Sequence, residues 1–90
     1  MSKNENVAAA PMDERVFFYT FDLGLSAALI STGFTLATIE RTNLQKSQFV
    51  FRRGDGIDET IDDYWADRLE VKACAYFDAL KMLKNRLYSE

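Results

Sequence analysis

The run Arg15-Val16-Phe17-Phe18-Tyr19-Thr20-Phe21 puts large apolar side chains at neighbouring positions. Side chains of an extended strand alternate with a period of two, so Phe17, Tyr19 and Phe21 project to one side and Val16 and Phe18 to the other. A strand laid over a single core needs only one apolar face. The second face calls for a cover, which a helix of the same chain, another subunit or a ligand could supply. At 90 residues, 48% of them hydrophobic and 13% aromatic, the chain has the length of one domain. A domain this small buries only about 60 to 65% of its unfolded surface, and self-association would add to so modest a core.

Residues 1–12 are small and polar and include the only proline, Pro11. They read as a flexible tail ahead of a single domain over 13–90. After the first strand, Asp22 is placed to cap a short helix whose stripe is Leu25, Leu29 and Ile30 and which runs to Ser31, with Gly33 as a left-handed terminator. Phe34 to Thr42 is rich in β-branched and aromatic residues, with Phe34, Leu36 and Thr38 alternating against Thr35, Ala37 and Ile39. Asn43-Leu44-Gln45-Lys46 then supplies a hairpin loop, and Gln48 to Arg53 a third strand. Gly54-Asp55-Gly56 breaks that pattern. Beyond it, Ile57, Ile61, Tyr64 or Trp65, and Leu69 recur at helical spacing, and Val71 to Tyr88 forms a longer helix with Tyr76, Leu80, Leu83 and Leu87 on one stripe and Phe77 beside it. The expected class is α+β: a three-stranded antiparallel sheet in the order β-α-β-β-α-α, strands arranged 1-3-2 or 3-2-1, with helices packed mainly on one face and the Asp58 to Leu69 helix near an edge.

Composition narrows the chemistry. The formal charge of -3 is too small to name a partner and argues against bulk adsorption to nucleic acid or to an anionic membrane. No apolar run nears the roughly 20 residues that span a bilayer. The one cysteine, Cys74, has no intrachain partner and sits among Ala73, Ala75 and Phe77, so a small buried hydrophobe in a reducing, cytoplasmic setting is the expectation. Histidine is absent, and no nucleophile, phosphate-loop or metal-ligand spacing occurs. The chain therefore reads as a non-enzyme without cofactor, metal or small-molecule substrate. Asp55, Asp58, Glu59, Asp62, Asp63 and Asp67 form a run of acids without a base, but Arg53-Gly54-Asp55-Gly56-Ile57 lacks the alternating oxygen ligands of a calcium loop. Acids early in one helix, and Lys81, Lys84 and Arg86 late in the next, complement the two helix dipoles.

The candidate interaction surface is the aromatic set Phe17, Tyr19, Phe21, Phe49 and Phe51, serving a protein partner or a homodimer. The alternative is a single-stranded nucleic-acid-binding accessory protein, in which Tyr19, Phe49 and Phe51 stack bases while Arg41, Lys46, Arg52 and Arg53 meet phosphates. A third reading makes the acidic segment Asp55 to Asp67 a mimic of nucleic acid that inhibits a host protein. Phe18-Tyr19-Thr20-Phe21-Asp22-Leu23 loosely resembles the first-strand motif of RNA-recognition domains, which are ferredoxin-like. The third strand, Lys46 to Arg53, departs from their second motif in lacking its early glycine, and a helix stands where their fourth strand would be. A broader resemblance runs through Phe21-Asp22-Leu23-Gly24-Leu25-Ser26-Ala27-Ala28-Leu29, Gly33-Phe34, Phe49-Val50-Phe51, Asp63-Tyr64-Trp65, Ala75-Tyr76-Phe77-Asp78-Ala79-Leu80-Lys81 and Arg86-Leu87-Tyr88. In these the chain resembles a family of short uncharacterised bacterial and phage proteins, a domain of unknown function, which implies a prokaryotic or phage setting and no particular activity.

Overall fold

The computed structural model describes residues 13–41 and 46–89. The expected tail over 1–12, and all of the hairpin loop except Lys46, lie outside the described residues. Among the described residues three strands and three helices follow in the order β1 (Phe17–Thr20), α1 (Leu23–Ser31), β2 (Leu36–Arg41), β3 (Ser47–Arg52), α2 (Ile57–Trp65) and α3 (Ala73–Tyr88). The sheet is antiparallel in the order β1-β3-β2, with β3 at its centre. The α+β class and the element order match the periodicities of the sequence.

Both ends of α1 are closed by local chemistry. The Asp22 carboxylate accepts from the Leu25 amide at 2.7 Å, which satisfies one of the donors that every helix start leaves unpaired. At the other end Gly33 takes φ 103°, and the Gly33 and Phe34 amides donate to the Ile30 and Leu29 carbonyls at 3.0 and 2.9 Å. That pair of bonds is a Schellman motif, and glycine bears its left-handed residue without steric cost. Between these caps Leu25, Ser26, Ala27, Ala28 and Leu29 are all buried, so α1 is enclosed on every side rather than along one stripe. Three small residues in succession, Ser26, Ala27 and Ala28, allow the close packing: α1 meets both α2 and α3.

The core joins Leu25, Ala27 and Leu29 to Phe49 and Phe51 of β3, Ile57 of α2, and Ala79 and Leu83 of α3. In β1, Phe18 lies opposite Phe51 and Thr20 opposite Phe49, so these two residues face the helices and Phe17 and Tyr19 face away. The strand is shorter than its sequence pattern: Val16 sits in the preceding turn and Phe21 lies beyond the end. In β2 a register shift between Leu36 and Thr38 leaves Leu36 opposite Phe51 and Ile39 opposite Phe49. The strict alternation expected there would have put Leu36 and Ile39 on opposite faces. One extra residue lets both reach the core.

Other differences come from the helix surfaces. The second helix ends at Trp65 rather than Leu69, and its stripe runs through Ile57, Ile61 and Tyr64, leaving Trp65 60% exposed. Phe77 is 58% exposed, with the Lys81 ammonium 5.0 Å from its ring centroid. Cys74 is exposed, not buried as its apolar neighbours suggest. It occupies the outer side of the first turn of α3, whose inner side is formed by Tyr76, Ala79, Leu80, Leu83 and Leu87. No helix among the described residues is long and apolar enough to cross a membrane.

Candidate interaction surface

The five aromatics that the sequence groups together are divided by the fold. Phe49 and Phe51 are core residues, 2% and 0% exposed, and no partner or base can reach them. Both lie on the central strand, and alternation turns them inward because the helices sit on that side. Phe17 and Tyr19 point to the helix-free face, where their rings meet edge to face at 6.4 Å and 65°, a favourable aromatic geometry. Val50 lies on the same face, opposite Tyr19 and Thr38, and is only 4% exposed. This face thus has a small apolar centre, bordered by Arg52, Gln48 and Glu40. Phe21 stands apart from it: past the end of β1, it lines a cleft of about 360 Å³ on the helix side together with Arg41, Leu87 and Tyr88.

The four basic residues expected to meet phosphates are likewise dispersed, and two have structural work. Arg41 donates to the Arg86 and Leu87 carbonyls at 2.7 and 3.0 Å. It thereby satisfies backbone acceptors that the end of α3 leaves without helical partners. Arg53 donates to the Glu14 carbonyl and pairs with Asp58, both at 2.7 Å, and its guanidinium lies 5.8 Å from the Phe18 ring centroid. The Lys46 ammonium lies 5.4 Å from the Phe21 ring centroid. Arg52 is exposed on the helix-free face, opposite Phe17. The field near Tyr19 runs the other way: its phenol is pushed above the ordinary value by desolvation, and then by the negative charges of Glu40, Asp13 and Glu14. Negative charge thus lies near Tyr19 on a face that also carries Arg52.

The acidic segment is partly committed to the fold. Asp58 and Glu59 lie in the first turn of α2, which has no side-chain cap and gains from negative charge at its amino end. Asp58 pairs with Arg53, and Asp63 with Arg68 at 3.0 Å. The Asp63–Arg68 pair is exposed and contributes little to stability, whereas Arg53 of the other pair is partly buried. Among the described residues no cluster of acids or cysteine is arranged to hold a metal ion.

A feature absent from the sequence reading lies between the three helices. Tyr64 and Tyr76, Leu69, Val71, Ala28 and Asp67 line a cavity of about 370 Å³. The Tyr76 hydroxyl makes a long hydrogen bond to the Gly24 carbonyl, at 3.5 Å. The Tyr64 phenol is pushed up by burial first, then by the charge of Asp22 and by its contact and hydrogen bond with Tyr76. Helical spacing identifies both tyrosines as inward-facing, but only the packing of α2 on α1 and α3 brings their hydroxyls together at Gly24.

Residues 15–89 match the model of a domain of unknown function, DUF5659. The chain belongs to the DUF5659 family. The match takes in every strand and helix described above, so the whole α+β unit is the DUF5659 domain. No curated protein matches the chain, and no solved structure does.

Proposed function

We propose that this DUF5659 domain is a non-enzymatic interaction module that works through the helix-free face of its sheet, with a second copy of itself as the partner. The observation that supports this reading is the half-buried Phe17–Tyr19 pair on that face. Apolar patches on small domains commonly mark contact surfaces, and a two-fold interface would set each patch against its own copy. The setting we propose is the cytoplasm of a bacterium, or of a phage-infected cell, where an exposed thiol such as Cys74 stays reduced.

Single-stranded nucleic acid is the less favoured partner. Phe49 and Phe51 are buried, Arg41 and Arg53 are engaged within the chain, and the carboxylates around Tyr19 oppose phosphate. Light scattering at high micromolar concentration should give a dimer mass. Tyr19→Lys should shift that mass to the monomer while leaving the circular dichroism spectrum and Tm close to those of the parent. A monomer mass for the parent protein overturns the reading. Saturable, salt-sensitive binding of single-stranded DNA or RNA at low salt would favour the nucleic-acid alternative.

A further inference from the structure

The α2–α3 connection places an aspartate where a glycine would be less strained. Asp67 has φ 61°, the one non-glycine residue with positive φ among the described residues. Its amide donates to the Tyr64 carbonyl at 3.1 Å, and the Arg68 amide to the Asp63 carbonyl at 2.8 Å. These bonds repeat the Schellman motif that ends α1, where the equivalent position is Gly33. Glycine is the residue of least strain there, and an L-residue in the left-handed region carries a steric penalty. An outlier of this kind points to a role for the side chain. Asp67 is exposed and belongs to the lining of the 370 Å³ cavity.

The rest of that lining is complementary to one class of group. Leu69, Val71 and Ala28 supply apolar lining, and beside them the Tyr76 hydroxyl donates to the Gly24 carbonyl while the Tyr64 phenol is hydrogen-bonded to Tyr76. Asp67 makes no ion pair among the described residues, whereas its neighbour Arg68 is taken up by Asp63. An exposed acidic residue, two electron-rich rings and apolar side chains in one lining suit a cation on an aliphatic stem. The volume falls within the range usual for ligand sites. We propose that this cavity binds a primary alkylammonium group, with the charge on Asp67 and the stem against Leu69 and Val71. Such a group belongs either to a free diamine or to a lysine side chain of a protein. The site is distinct from the sheet face, and its failure would leave the dimer reading untouched.

Amide NMR titrations of the full chain test this with cadaverine, with a capped Ala-Lys-Ala peptide and with the same peptide acetylated on its lysine. Saturable shifts at Asp67, Leu69 and Val71 are expected with an ammonium ligand and not with the acetylated peptide. Binding of cadaverine alone identifies a free amine as the source, and binding of the peptide alone a lysine side chain. Asp67→Asn, which keeps shape and loses charge, should weaken binding by about tenfold or more. Asp67→Gly should weaken it equally while raising Tm by a few degrees, a combination that damage to the fold cannot produce. The proposal is overturned if neither ligand gives saturable shifts, if Asp67→Asn binds as tightly as the parent, or if magnesium chloride produces the same shifts at the same concentration.

Discussion

A Cβ atom at Gly24 would come within 2.5 Å of the Tyr64 hydroxyl and 3.3 Å of the Tyr76 hydroxyl. Glycine in a helix ordinarily costs roughly 0.5 to 1 kcal/mol relative to alanine, so its presence in the first turn of α1 is explained by what stands against it. Gly24→Ala should accordingly destabilise the protein, and the same change made together with Tyr64→Phe should be neutral or stabilising, because the obstructing oxygen is gone. Urea denaturation of the four proteins in this cycle measures the coupling. Equal effects of Gly24→Ala in the two backgrounds would show that the hydroxyl is not the constraint. Arg41 and Arg53 teach a related lesson: their charge suggests phosphate, but their guanidinium groups bind backbone carbonyls of α3 and of the segment before β1.

Among the elements, α1 is the one whose packing matters most. Leu29 of α1 and Leu83 of α3 are both fully buried, whereas Leu80 is only half-buried on the flank of its stripe. Leu29→Ala and Leu83→Ala should each cost roughly 2 to 5 kcal/mol, and Leu80→Ala clearly less, because the penalty grows with the cavity left behind. Chemical denaturation midpoints rank the three, and a Leu80→Ala penalty as large as that of Leu29→Ala would contradict the packing described. Helix existence is legible from the sequence in all three cases, since apolar residues recur at three- and four-residue spacing and Asp22 and Gly33 mark the ends of α1. The end of α2 is not legible. Its terminator is Asp67, a residue whose left-handed conformation no sequence pattern announces.

For the whole molecule, the placement of the helices decides which aromatic residues are core and which are surface. Phe51→Lys should unfold the domain, because it buries a charge without a partner, whereas Tyr19→Lys on the opposite face should alter association only. Circular dichroism with light scattering separates these outcomes, and a folded Phe51→Lys protein would mean that the sheet is covered from the other side. The sequence by itself determined the element order, the α+β class, the caps of α1 and the surplus of apolar side chains in β1, because each depends on periodicity or on chemistry within a few residues. Which side of β3 the helices would cover was decided only by tertiary structure. Phe49 and Phe51 differ in no local way from a pair meant to stack on a ligand. The same holds for the bulge that turns both Leu36 and Ile39 inward, for the exposure of Cys74, and for the meeting of Tyr64 and Tyr76 at Gly24. Each follows from distant segments competing to bury the same apolar area, a free energy that belongs to the assembled core and to no single stretch of chain.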